Sequence, residues 1–231
     1  MKLLIIRPQP GADATAKRAY AAGFDPIIMP LFAIERLPLT PIAARDYDAV
    51  LLTSGNAVRA AGHALSQLAQ LPLYAVGAAT ARALDDAMLP PFYIGTHGVD
   101  ALVSVARQHG HRRLLWLAGE DYTDPQDPAD VTIDVHLVYR SVVVTEPEGF
   151  DDAVRQSVAV LLHSPRAARH FAGLCELYGL LRGTITVATF SQYIAENAGD
   201  GWAANIIAPV PNDAALLSEL QRRFTTVTRD P

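Results

Sequence analysis

Asp48-Ala49-Val50-Leu51-Leu52-Thr53-Ser54-Gly55-Asn56-Ala57-Val58-Arg59 is answered later in the chain by Ser157-Val158-Ala159-Val160-Leu161-Leu162-His163-Ser164-Pro165-Arg166-Ala167-Ala168-Arg169. Ser54 aligns with Ser164, Ala57 with Ala167 and Arg59 with Arg169, each at an offset of 110. In both copies an apolar run ends in a small hydroxyl residue that opens a helix-start pattern. This is the signature of a buried strand feeding a helix, with the turn at the strand's carboxyl end. Two such units imply two similar α/β halves.

The echo extends outward in order. Leu73-Tyr74-Ala75-Val76-Gly77 resembles Ile185-Thr186-Val187-Ala188-Thr189, and Gly98-Val99-Asp100-Ala101 resembles Pro211-Asn212-Asp213-Ala214. Asp100 and Asp213 take the place of helix N-caps. The next strand of the first copy, Leu114–Leu117, finds its counterpart at the other end of the chain, in Leu3–Ile6. The series predicts one domain inserted in another. A discontinuous α/β domain is expected over 1–32 and 146–231 and an inserted one over 39–136. Two linker strands, 33–38 and 137–145, lie between them. Alternating strand and helix patterns, among them a helix over Asn56–Ala69 and a strand over His136–Val144, predict parallel sheets with helices on both faces.

Composition narrows the function classes. The 231 residues are 50% hydrophobic and 19% charged, enough to bury a substantial core. The net charge of -5 argues against a general nucleic-acid binder. One cysteine, Cys175, permits no internal disulfide and reads as a core residue. Met1–Pro8 is too short an apolar run for a signal peptide, and no run approaches the roughly 20 residues of a membrane span. A cytoplasmic protein without membrane or nucleic-acid partners is expected. Of the 19 basic residues only Lys2 and Lys17 are lysine, so the cationic chemistry belongs to arginine, whose planar fork suits carboxylates and phosphates. His109 and His111 lack metal-ligand spacing, and no phosphate-binding glycine loop or Gly-x-Ser-x-Gly elbow is present.

Taken together, Ile6-Arg7-Pro8, Pro30-Leu31, Thr53-Ser54-Gly55-Asn56-Ala57-Val58, Val76-Gly77-Ala78-Ala79-Thr80-Ala81, Gly119-Glu120, Val138-Tyr139-Arg140 and His163-Ser164-Pro165 resemble the uroporphyrinogen-III synthase family, in family order over nearly the whole chain. The resemblance implies two flavodoxin-like parallel-sheet domains, one discontinuous, joined by a two-strand linker. It also implies cyclisation of hydroxymethylbilane, a linear tetrapyrrole with eight carboxylates, to uroporphyrinogen III, with loss of water and inversion of the last ring. Neither metal nor cofactor is implied. A monomer is expected, with transient contact to hydroxymethylbilane synthase. The chain departs from the family at Phe190-Ser191-Gln192-Tyr193, where a glycine turn and a threonine are replaced. It departs again at Phe150, which stands where a tyrosine is common.

Such a reaction is mainly a task of orientation and of excluding the competing closure. Thr53, Ser54 and Asn56, with Gly77 and Thr80, stand at strand-to-helix turns suited to substrate carboxylates. Ser164 takes the equivalent place in the second copy. Arg7, Arg140 and Arg166 are the candidate carboxylate ligands. The candidate acids for the departing hydroxyl are Tyr139, Tyr193 and a bound water. Tyr139 also reads as a linker residue packing on Phe32. A two-domain anion-binding protein and an inactive family member are the competing readings.

Overall fold

The computed structural model describes residues 1–126 and 129–226. Residues 127–128 and 227–231, within the expected 39–136 and 146–231 spans, lie outside the description. In chain order the elements begin β1 (Lys2–Ile5), α1 (Gly11–Ala21), β2 (Asp25–Ile28), β3 (Phe32–Arg36), β4 (Ala49–Leu52), α2 (Gly55–Ala61), α3 (His63–Ser66), β5 (Leu73–Val76) and α4 (Gly77–Asp86). They continue β6 (Tyr93–Gly95), α5 (Val99–Gln108), β7 (Arg113–Gly119), β8 (Thr132–Val143), α6 (Phe150–Gln156) and β9 (Ser157–Leu162). The last are α7 (Pro165–Leu177), β10 (Thr186–Thr189), α8 (Gln192–Ala198), β11 (Ala204–Ile207) and α9 (Asp213–Thr226).

The chain divides into two compact units. One joins Met1–Ala33 to the segment from Val143 onward, and the other is Ile34–Val142. The first unit holds a five-stranded parallel sheet in the order β11-β10-β9-β1-β2. Counted from β1 within the unit, this is the 2-1-3-4-5 order of flavodoxin-like folds. The second unit holds the order β3-β8-β7-β4-β5-β6. Its five strands from β8 to β6 are parallel and repeat the first order once β7 is counted as the first strand. That permutation is why Leu114–Leu117 echoes Leu3–Ile6.

Strands buried on both faces explain the apolar runs. Leu3 and Ile5 face α1 and α9, against Ala12, Ala16, Ala19, Leu216 and Leu220. Leu4 and Ile6 point the other way, toward Phe150 of α6 and Phe171 of α7. In the second unit Val50 and Leu52 pack with α2 and α4, whereas Ala49 and Leu51 pack with Leu102 and Ala106 of α5. Cys175 is fully buried in the first core, where burial raises its thiol to about 12.

Four expectations change. The predicted helix over Asn56–Ala69 breaks at Gly62, whose φ of 51° and ψ of −125° leave the helical region and separate α2 from α3. The strand expected at His136–Val144 begins at Thr132, because β8 pairs with β7 from Arg113 onward. It is therefore a sheet strand along most of its length. β3 runs antiparallel to β8: Val144 N–H donates to Leu31 O, Leu37 N–H donates to Val138 O, and Glu35 pairs with Arg140. Asp100 and Asp213 are not N-caps. Gly98 precedes α5, and Asn212 caps α9 by accepting from Ala215 N–H at 2.9 Å. Asp100 instead accepts from Gln126 N–H at 2.8 Å, and Asp213 is drawn into an ion network.

Candidate active site

In a doubly wound sheet, ligands settle at the carboxyl ends of the strands where the strand order reverses. Each unit has one such point, between β1 and β9 in the first and between β7 and β4 in the second.

In the first unit a charged network of the protein stands at this place. Arg7 follows β1 and His163 follows β9. Thr15 Oγ1 donates to Asp213 Oδ2 at 2.9 Å and accepts from Arg7 Nη1 at 3.3 Å. Arg18 Nη1 donates to Asp213 Oδ2 at 2.8 Å. The Asp213 carboxylate can only accept, so the proton of His163 sits on Nε2, which donates to Oδ1 at 3.1 Å. Burial opposes ionisation of Asp213, but the hydrogen bonds from His163 and Thr15 and the charge of Arg7 outweigh it and hold the carboxyl at about 2. His163 is buried with Nδ1 unpartnered, and burial lowers its pKa despite Asp213. Burial thus disfavours the charged ring more than Asp213 favours it. Arg7, expected as a substrate ligand, stands in this network, 4.0 Å from Asp213 Oδ1. Gly11 permits this, since a Cβ there would stand 2.6 Å from Arg7 Nε.

The corresponding place in the second unit is open. A cavity of about 300 Å³ lies at the ends of β4 and β7, lined among others by Thr53, Trp116, Gly119, Glu120, Tyr122 and Tyr139. Trp116 Nε1–H donates to Thr53 Oγ1 at 3.3 Å, and Tyr122 meets the indole edge-to-face at 5.2 Å between ring centres. Phe32 sits in the core of the first unit, against His170 and under the Arg166 guanidinium at 5.0 Å. Tyr139 lies over Gly119, where the β7–β8 register shifts between Ala118 and Gly119. A Cβ on Gly119 would fall 2.5 Å from the Tyr139 ring, so only glycine admits the phenol here.

The structure therefore brings Thr53 and Tyr139 to one cavity. Ser54 and Asn56 lie next to it in sequence and are occupied locally. Ser54 Oγ accepts from Asn56 N–H at 3.1 Å as the α2 cap, and Asn56 Oδ1 accepts from Arg59 Nη2 at 2.6 Å. Gly77 turns into α4 with φ of 75°, and Thr80 is buried in that helix. Arg140 donates to Glu35 at 2.8 Å on the surface. In the first unit Ser164 Oγ caps α7, accepting from Ala167 N–H at 3.2 Å, and Tyr193 stands exposed in the first turn of α8. Trp116 and Tyr122 escape the sequence reading. The available signal is an indole at a strand end, which needs a partner for its N–H. His109 and His111 gather around the Tyr74 ring, and among the described residues no cluster of His, Cys, Asp or Glu is suited to a metal ion. No helix among them is long and apolar enough to cross a membrane.

Fold and site define a two-unit, doubly wound α/β protein with an open switch-point cavity. Residues 13–218 match the family model described as uroporphyrinogen-III synthase HemD, and the chain belongs to that family. Its function is accordingly uroporphyrinogen-III synthesis, in tetrapyrrole biosynthesis. A mutant uroporphyrinogen III synthase of the extremely thermophilic bacterium Thermus thermophilus shares the fold, at 17% identity over 100% of both chains with a TM-score of 0.53. The wild-type enzyme of the same bacterium, in another crystal form, has 20% identity over 99% of both chains and a TM-score of 0.46. No curated protein matches the sequence.

Proposed function

We propose that this chain converts hydroxymethylbilane to uroporphyrinogen III as a cytoplasmic monomer that needs neither metal nor cofactor. The observation that carries the reading is the placement of Tyr139 over Gly119 in the open cavity of a chain that belongs to this family. Loss of the terminal hydroxyl leaves a stabilised azafulvenium cation, so release demands one proton and no redox partner. In water the cation closes to the uninverted isomer. The protein must hold the bilane so that the substituted carbon of the last ring attacks first, giving a spiro intermediate.

In this reading the Tyr139 phenol donates the proton to the departing oxygen, and Tyr193 is the competing candidate. Thr53, Ser54, Asn56, Gly77 and Thr80 are proposed substrate contacts of the second unit, and Ser164 and Arg166 of the first. Arg7 and Arg140 are the proposed carboxylate ligands, Arg140 exchanging Glu35 for a substrate carboxylate. The functional division follows the internal repeat, with 33–38 and 137–145 as the joining strands. Hydroxymethylbilane synthase is the proposed supplier of substrate.

The test is product analysis with bilane generated in situ by hydroxymethylbilane synthase, in the presence of a chelator. Isomer III is the expected product, at a rate unchanged by dialysis. Isomer I alone, while bilane is consumed, would remove the proposal.

A further inference from the structure

The chemistry of the open cavity is unexpected for a substrate with eight carboxylates. None of the side chains lining it is a lysine or an arginine, and two of them, Glu120 and Asp121, are carboxylates. A substrate carboxylate placed there would meet like charge in a partly enclosed site. The remaining wall is aromatic: Trp116, Tyr122 and Tyr139. At about 300 Å³ the space falls at the lower end of the roughly 300–1,000 Å³ of small-molecule pockets. It admits one substituted five-membered ring rather than four. What suits flat π faces beside a carboxylate is a flat ring that donates an N–H or carries positive charge.

The aromatic walls are not equivalent. Trp116 is 3% exposed and its N–H is spent on Thr53. The interplanar angle of 83° between Trp116 and Tyr122 stands the two rings edge-to-face, and Tyr122 keeps 38% of its surface exposed. Trp116 is the floor that fixes Tyr122, and Tyr122 offers the accessible face.

We propose that Tyr122 is the face on which the terminal pyrrole of the bilane lies as its hydroxyl leaves, with Glu120 beside it, so that the cavity holds the cation and turns the carboxylates away. The proposal rests on the reading that the chain forms uroporphyrinogen III. The step balances within the substrate and one acid. The methylene C–O bond breaks, and the oxygen keeps the electron pair and leaves as water after taking one proton from Tyr139. The pyrrole nitrogen lone pair moves into the ring, forming a C=C bond to the methylene carbon and spreading the positive charge over the ring. Attack by the substituted carbon of the last ring passes the positive charge to that ring, and the charge is lost with the proton released on final closure, which returns to the tyrosinate. Cation–π attraction needs no reorganisation as that charge appears.

The test replaces the residue at 122 with rings of graded electron density. Tyr122→Phe keeps the face without the hydroxyl, and kcat is expected to stay within about twofold. Substitution of Tyr122 by 4-fluorophenylalanine and then 4-cyanophenylalanine withdraws electrons at nearly constant shape. Here kcat is expected to fall stepwise to about one tenth while KM stays within about twofold, the scale of a desolvated cation–π contact. Tyr122→Leu should fall at least as far, and Glu120→Gln by about fivefold. A melting curve for each variant reports the Trp116 contact separately. Equal kcat for phenylalanine and 4-cyanophenylalanine overturns the proposal, as does a loss complete at Tyr122→Phe. If the unaltered chain makes isomer III while the series is flat, this inference alone fails. If the unaltered chain makes no isomer III, the functional reading falls and takes this inference with it.

Discussion

Thr15 Oγ1 donates to Asp213 Oδ2 across 198 residues of sequence. With Arg7, Arg18 and His163 on the same carboxylate or its hydroxyl partner, this contact ties the opening segment of the chain to its last helix. In that unit the switch point carries the protein's own anion and its partners, and a cavity opens at the matching point of the other unit.

Asp213→Asn tests this network. Asp213 is 7% exposed, and removing one partner of a buried ion network leaves the others uncompensated. A loss of about 3 kcal/mol is expected, read as a shift in urea midpoint. For a chain of this size that is a fall of about 6–12 °C in Tm.

The same group sets an acid limit. The Asp213 carboxyl at about 2 lies below its unfolded value near 4, so on acidification the unfolded chain takes the proton first. Its contribution, about 2 kcal/mol, is complete above roughly pH 4 and is lost as pH falls toward 2. His163 acts in a higher window. Its pKa is lowered by burial, so below about pH 6.5 the unfolded chain again binds the extra proton and stability declines with falling pH. His163→Gln should flatten the stability profile below about pH 6.5 relative to wild type, as measured by urea titration at each pH.

Ser54 and Ser164 separate capping from substrate contact. Both side-chain oxygens accept a first-turn N–H, so alanine at either position should cost about 1 kcal/mol. A cap alone leaves kcat/KM of the folded enzyme unchanged. A fall of tenfold or more at temperatures well below Tm would identify a substrate contact.

How far the sequence reveals this molecule depends on the range of each interaction. Ser54 and Ser164 are legible because a cap bonds residues two or three positions away. The two-faced burial of Leu3, Leu4, Ile5 and Ile6 is legible because it makes an unbroken apolar run. The break at Gly62 is not, since the apolar pattern continues through it and only backbone angles record the stop. Asp213 resembles a cap locally, and its partners stand 198, 195 and 50 residues away. Arg140 stands out as a cation, but nothing local shows that Glu35 of the adjoining strand already holds it. Trp116 and Thr53 meet only because β7 and β4 are neighbours, a consequence of the permuted strand order.

Gly119→Ala addresses the phenol most directly. The added methyl would enter the Tyr139 ring at 2.5 Å, a distance that forces the ring to move. Gly119 ends a strand and is not held at positive φ, so the backbone itself tolerates alanine. A displaced acid costs rate more than affinity, and kcat is expected to fall by at least tenfold with KM nearly unchanged. Tyr139→Phe should fall about a hundredfold, and adding Gly119→Ala to it should cost little more, because the two changes remove one function. If Tyr193→Phe carries the large loss and Tyr139→Phe does not, the acid belongs to α8. Tyr139→Phe and Tyr193→Phe, each assayed in the coupled system for both rate and isomer ratio, decide between these outcomes.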